Sequence, residues 1–371
     1  MTRIIQIAPE IAPGSGVGGV AYELERAFDH LGVQTSRFTL RDSGLAASHG
    51  SVGRLTRARN VLWFSTVGTI LARRRLRSSA DAIAICHNDV MAGDIYVNHG
   101  VLQASLRARG HFAWRIVRNP LHIFTIARDR IRYRGSVHRA VVALTQGEAA
   151  ALRAEYGRVH PPITVIPNGV DLERFRVPSP TERERGRDAL QLPRDAFVAV
   201  FVGHEFDRKG LPLVLAALPA AAGVHLVVAG GSPADVRQAR IAVEAQGLDA
   251  RVTFLGTLPD VLPVLHAADV LVLPSAYEAN ALVVLEALAC GVPAIATPVG
   301  AAPELLADGR AGEIVHPESA AIAQALRNAA ARERDEAARA ARDVAERYGW
   351  AQIAQRYLDL VRTLEVAGAR Q

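Results

Sequence analysis

Residues 274–291 read PSAYEANALVVLEALACG. The apolar run 269–273 leads into Pro274 and Ser275 and reads as a strand. A short loop carrying Glu278 follows, and the Ala/Leu-rich run 281–289 reads as a helix that stops at Gly291. A loop at the carboxyl end of a buried parallel strand is where open α/β sheets bind ligands. Glu278, ahead of the helix, can project into such a crevice, and Glu286 falls about two helical turns further on at ~3.6 residues per turn. Two acids so spaced can hold two ends of one ligand. Backbone N–H groups at the helix start, around Ala279, Asn280, Ala281 and Leu282, favour an anion such as a diphosphate. The spacing fits equally well a bland reading, in which Glu286 is a solvated helix residue and Glu278 a helix-start acid, and by itself does not choose between the two readings.

The pattern extends beyond this stretch, through Pro293 and the segment TPVGAAPELLADGRAGEIV at 297–315. Two glutamates seven residues apart, after a strand ending in Pro-Ser and before an E-A-hydrophobic-A-x-G-x-P run, resemble the signature of glycosyltransferase family 4. That resemblance implies an α/β chain of the GT-B fold, with two doubly wound Rossmann-like domains facing a cleft. It also implies a retaining, nucleotide-sugar-dependent enzyme. The chain departs from the pattern at Ala279, Asn280 and Ala281, where most members carry a Gly-Phe-Gly or Pro-Phe-Gly triplet. The departure leaves the contacts to the sugar hydroxyls open.

At 371 residues, half of them hydrophobic, the chain has material for two cores and does not read as disordered. Cys86 and Cys290 are far apart and match no metal spacing, so they read as buried thiols of a cytosolic protein. No apolar run reaches ~18 residues, and the N-terminus opens directly as a strand instead of a signal peptide. The net charge of +6 is unevenly spread: residues 1–171 hold 22 basic and 12 acidic side chains, the remainder 21 and 25. A basic first half suggests an anionic surface or acceptor for that half alone.

In the first half, a strand at 3–8 is followed by the Gly/Pro loop 9–19 and an amphipathic helix at 20–31. Gly14, Gly16 and Gly19 formally satisfy G-x-G-x-x-G, but the dinucleotide fingerprint sets its first glycine directly after the strand, and here residues 9–13 intervene. A longer loop with Gly16, Gly18 and Gly19 suits close backbone approach to a donor phosphate, as the resemblance also implies. Strands are expected at 34–40, 82–86, 94–98 and 140–144. His99 stands at the tip of one of them, and in the family a His there lies beside the transferred sugar. His99 fits that place better than His87. Residues 54–77 read as a core-packing helix with basic ends. Residues 103–139 mix nine arginines with Phe112, Trp114, Phe124 and Tyr133. Such a mixture favours lipid headgroups or phosphorylated acceptors, and a solvated helical face carries comparable weight. No recognised nucleic-acid module accompanies it.

Residues 172–195 are polar, with Pro178, Pro180 and Pro193, and read as a linker. A second β–α series follows, with strands at 197–202, 225–229, 252–255, 269–273 and 293–296. The loop GHEFDRKG at 203–210 opens with Gly203 and holds Arg208 beside Lys209, the chain's single lysine. Two cations at a strand's carboxyl end form a natural phosphate clamp.

The expectation is therefore a glycosyltransferase with an acceptor-binding domain at 1–171, a linker at 172–195 and a nucleotide-sugar-binding domain at 196–349. By the resemblance, a helix at about 350–371 crosses back onto the first domain. His99, Glu278, Arg208 and Lys209 are the expected catalytic groups. Gly16, Gly18, Gly19, Gly203, Asn280, Ala281, Leu282 and Glu286 join Arg208 and Lys209 in donor binding. The donor is a nucleotide diphosphate sugar, with UDP- and GDP-sugars foremost, and the acceptor a glycan or lipid-linked hydroxyl. No D-x-D string occurs, so no metal is expected to hold the diphosphate. The expected place is the cytoplasm, at the inner face of the plasma membrane. An NAD-dependent oxidoreductase using the glycines and Asp42, or a GT-B sugar-nucleotide epimerase, is the alternative.

Overall fold

The computed structural model describes all residues except 1–2, 15, 46–52, 80, 194–195 and 369–371. The chain divides into two units, 1–169 with 350–371, and 170–349. Each is built on a six-stranded, wholly parallel sheet.

The first sheet holds β1 (Arg3–Ile7), β2 (Thr35–Phe38), β3 (Ala82–His87), β4 (Ile95–Val97), β5 (Ala140–Ala143) and β6 (Ile163–Val165), in the order β2-β1-β3-β4-β5-β6. Both faces of a parallel sheet are covered by helices, so its strands are continuous apolar runs. β5, for instance, is the fully buried run AVVA. After β1 the chain steps outward to β2, then returns to β3 on the other side of β1. The carboxyl ends of β1 and β3 thus flank a topological switch point.

The second sheet holds β7 (Phe197–Val202), β8 (Val224–Ala229), β9 (Val252–Gly256), β10 (Val270–Leu273), β11 (Ala294–Ala296) and β12 (Gly312–Ile314), ordered β12-β11-β10-β7-β8-β9. Here the switch point falls between β7 and β10, paired through Val270 with Ala199 and Leu271 with Val200. β12 is three residues long, too short for an alternation signal, and is recruited by pairing with β11.

Two features differ from the sequence expectation. Residues 172–195 do not form a free linker. They belong to the second unit and carry the helix Pro180–Ala189, started by a Ser179/Glu182 capping box. Arg183 and Arg187 from that helix each bond Asp269 at 2.5 Å, at the foot of β10, and take up the carbonyls of Ala267 and Ala268. The high polarity that suggested a linker is the polarity of a buried ion cluster. The segment 54–77 is likewise interrupted, by a π turn at Phe64–Gly68 between the helices Arg54–Trp63 and Thr69–Arg77. Phe64 is buried there against Phe38.

The last helix, Trp350–Gly368, packs in the first unit: Ile353, Ala354, Tyr357 and Val361 join Leu24, Phe28 and Val142 in one apolar cluster. Tyr357 meets Phe28 edge-on at 6.5 Å. Residues 369–371 of the expected helix lie outside the described residues.

Candidate active site

In the second unit the loops leaving β7 and β10 meet at the switch point. The chain turns through one helical turn, Phe206–Lys209, and reverses at Gly210, whose φ of 82° only glycine adopts cheaply. A side chain at Gly210 would strike the Pro274 carbonyl. The backbone N–H of Ala276 donates to the Arg208 carbonyl at 2.8 Å and ties the loops together. One carboxylate oxygen of Glu278, Oε1, then accepts from Lys209 Nζ at 2.9 Å, Ser275 Oγ at 2.9 Å and Arg208 Nη1 at 3.3 Å. Arg208 is held further by Glu205 at 2.7 Å and by the Tyr277 carbonyl. All three charged groups are largely enclosed. Two cations are thus balanced by two carboxylates, the enclosed Glu278 and the half-exposed Glu205, and an incoming diphosphate would have to take a carboxylate's place.

Gly203 lies beneath Lys209. The Lys209 side chain lies across it, where a Cβ would come within 2.0 Å of Lys209 Cδ. The glycine makes room for the lysine. Gly18 and Gly19 likewise accommodate their own loop, since a Cβ would meet the Glu10 carbonyl oxygen at 2.8 Å and that of Gly14 at 1.8 Å. Gly16 alone of the three has open space at its Cβ position, with φ of 83°, ahead of the helix Val17–His30.

The helix Leu282–Ala289 begins after Ala281, so Glu278 precedes it and Glu286 stands in its second turn. Ala281 itself is left-handed, φ 58° and ψ 66°. The chain keeps a glycine conformation where the resembling family has glycine. Asn280 is buried, and its Nδ2 has no partner among the described residues. Glu286 is half-buried, and burial pushes its carboxyl up to about 7, against the pull of Arg174 and with the push of Asp260.

In the first unit, His99 lies just past β4. Its Nε2 is 3.0 Å from Nδ1 of His87, the last residue of β3, and His87 Nε2 is 2.9 Å from Oε1 of Gln6 in β1. Sequence reasoning preferred one histidine to the other, whereas the fold joins them. No local signal links Gln6, His87 and His99, which come from two strands and the loop after a third. Behind them Asn98 bonds Glu148 at 2.8 Å and Tyr133 at 2.6 Å. Asp42, the acid an NAD site would need, accepts from the backbone and hydroxyl of Thr39.

The family model described as Glycosyltransferase Family 4 matches residues 14–174, and that described as Glycosyl transferases group 1 matches 196–332. The chain belongs to these glycosyltransferases. It is 36% identical over 202 residues to a D-inositol 3-phosphate glycosyltransferase of Mycobacterium marinum, a match covering 51% of this chain and 42% of that one. The chain thus spans about two fifths of the length of the curated relatives it matches. Two solved structures share its fold across nearly the whole chain. Sucrose-phosphate synthase from Thermosynechococcus elongatus has a TM-score of 0.77 at 20% identity, covering 99% of this chain and all of that one. HepE of Anabaena, solved with UDP and glucose, has a TM-score of 0.69 at 19% identity, covering 98% and 100%. The architecture is GT-B, and this family member presents its Arg208–Lys209–Glu278 cluster at the second unit's switch point.

Proposed function

We propose that the chain moves a sugar from a nucleotide diphosphate sugar to an acceptor hydroxyl with retention at the anomeric carbon. The carrying observation is the cation pair Arg208 and Lys209 on a single oxygen of Glu278. The second unit binds the donor: Lys209 and Arg208 the diphosphate, Glu286 the ribose and Glu278 the sugar side, with the amides of Asn280, Ala281 and Leu282 at the helix start. As the donor's anomeric C–O bond breaks, charge grows on the departing diphosphate, and fixed cations stabilise it at that moment. They take the place of a metal ion. Three donors on Glu278 Oε1 draw charge from the carboxylate and lower its nucleophilicity. Attack of the acceptor oxygen on the face from which the diphosphate leaves accounts for retention without a glycosyl-enzyme.

The donor to test first is a UDP-sugar, since HepE was solved with UDP and with UDP-glucose, and a GDP-sugar next. The acceptor is a hydroxyl of an anionic glycan or a lipid-linked glycan, and the enzyme serves bacterial envelope or polysaccharide synthesis from the cytoplasmic side. The basic first half supports an anionic acceptor, as does the inositol phosphate in the name of the mycobacterial relatives. Mass spectrometry of donor panels, with and without EDTA, tests the reading. Release of sugar from one nucleotide sugar, undiminished by EDTA and with the α-linkage of an α-donor preserved, is expected. No turnover of any donor, or a product of inverted configuration, overturns it.

A further inference from the structure

We propose that the second unit holds a further binding site, for a small amphipathic monocarboxylate, in a cavity at the amino ends of β7, β10, β11 and β12. The loops with Lys209 and Glu278 leave the opposite, carboxyl ends of β7 and β10, so the cavity and the switch point share a sheet and no residue. The cavity has a volume of about 180 Å³. Its floor is made by residues that open the strands, Phe197, Val270, Ala294 and Gly312. The helices Ser319–Ala331 and Arg334–Ala345 close over it through Ala325, Ala329, Ala337 and Ala338, whose methyl groups leave the space between sheet and helices open. An unfilled apolar space forfeits the dispersion contacts of its lining. A cavity of roughly 150 Å³ is enough to take up benzene.

One wall of the cavity is charged and out of balance. Asp269, just ahead of β10, faces three guanidinium groups: Arg183 and Arg187 bond it at 2.5 Å, and Arg334 stands 3.8 Å away. Asp269 also accepts from the backbone N–H of Val198 at 2.8 Å. Arg183 and Arg187 donate further to the carbonyls of Ala268 and Ala267, and Arg332 donates to those of Gly309 and Arg310. Arg334 is half-exposed at the rim, and its guanidinium makes no hydrogen bond among the described residues. Glu313, the other carboxylate of the lining, accepts from Asn328 at 3.2 Å. Four arginines thus stand against two carboxylates. Burial, with Arg187 and Arg334 adding to it against the pull of Asp269, lowers Arg183 to about 10. The cations are crowded, and an anion beside them relieves the crowding. His266 also lines the cavity, and its Nε2 is enclosed without a partner among the described residues, which leaves a ring nitrogen for a ligand. An apolar space behind a spare guanidinium selects the ligand class. The fork of Arg334 matches a carboxylate with two parallel N–H···O bonds, and the space takes a body of roughly six to nine carbon atoms. A bare phosphate leaves the space unfilled, and a neutral hydrocarbon leaves Arg334 unpaired.

Benzoate is the probe, with benzyl alcohol as its neutral counterpart and inorganic phosphate as the anion without a body. Calorimetry and thermal unfolding of the full chain at fixed ionic strength follow binding, with and without excess UDP. Benzoate is expected to bind and to raise the Tm. Benzyl alcohol should bind about tenfold more weakly, for want of the charged hydrogen bonds. Phosphate should not bind here, and UDP should not compete. Arg334→Gln should bring benzoate down to the affinity of benzyl alcohol and leave the alcohol unchanged. Ala329→Leu fills the space and should abolish binding of both. If that variant does not fold, the surface change Arg334→Gln with the two probes decides alone. Absence of benzoate binding at tens of millimolar overturns the proposal, as does benzoate affinity unaltered by Arg334→Gln or by a folded Ala329→Leu. Phosphate bound as tightly as benzoate would make Arg334 a surface anion site, and displacement of benzoate by UDP would place it at the switch point; either result also overturns the cavity site.

Discussion

In the proposed donor site, Glu278 is the residue that holds both cations. Without ligand its Oε1 neutralises Lys209 and Arg208, so a diphosphate has to displace a resident counter-anion. Lys209→Ala should weaken binding of a nucleoside diphosphate by about 1.5–3 kcal/mol, the range for hydrogen bonds to charged groups. Glu278→Gln should do the opposite, tightening the free diphosphate while slowing transfer. Titration calorimetry measures both, and equal affinities across parent and variants would sink the clamp. Glu286 adds a pH dependence. Burial raises its carboxyl to about 7, so it is largely protonated below that and ionised above. Ribose hydroxyls donate to a carboxylate, so affinity for the nucleotide should rise with pH towards ~7 and level off beyond, by at most about tenfold per unit. Glu286→Gln should give a flat profile over the same range once the phosphate's own titration is subtracted. A parent profile that falls with rising pH would contradict the role.

At the scale of elements, the helix Leu282–Ala289 is set by the left-handed residue before it. Ala281 is non-glycine at φ 58°, a conformation costing an L-residue about 1–2 kcal/mol. Ala281→Gly is expected to be neutral or stabilising in denaturant unfolding. Ala281→Val should cost about 1–2 kcal/mol more and impair donor binding, since a β-branched residue resists that conformation. A harmless valine would mean that the turn relaxes freely and does not aim the helix. The helix Phe112–Arg118 behaves in the opposite way: none of its residues is buried, and Trp114 and Val117 are 56% and 78% exposed. Arg118 stacks over Trp114 at 4.8 Å and Arg107 over Phe112 at 5.1 Å.

For the whole molecule, the charge asymmetry is real in sequence but is partly consumed by folding. Of the nine arginines at 103–139, Arg128 and Arg132 are buried, bonded to Asp89 and Asp129. Arg107 pairs with Glu155. What remains outward includes Arg118 and Arg130, with Trp114, Val117, Ile123 and Ile131 beside them in sequence. Among the described residues no helix is long and apolar enough to cross a membrane. We propose that this arm rests on an anionic bilayer, where each basic residue near the surface contributes on the order of 1 kcal/mol. Co-sedimentation should show binding to anionic vesicles at low salt, loss at high salt through screening, and weakening by Trp114→Ala. Equal binding to neutral vesicles, or none to either, would leave the arm as ordinary surface and point to a soluble acceptor.

The sequence by itself determined the parts whose causes are local. Apolar runs between Gly- and Pro-marked turns read as parallel strands, because strands covered on both faces need no polar alternation. The stretch from Glu278 to Glu286 and the loop with Arg208 and Lys209 were legible as loops after strand ends, because turn residues follow apolar runs there. Tertiary structure alone decided which loops meet. The strand orders bring β7 beside β10 and β1 beside β3, so Lys209 reaches a glutamate 69 residues away and Gln6 reaches His87 across 81. It also decided which polar residues are interior. Arg132, Arg183 and Arg187 look like solvated cations in the sequence, yet each is buried against carbonyls supplied from elsewhere in the fold. A charge's partner is a property of the packed chain, and neither periodicity nor composition encodes it.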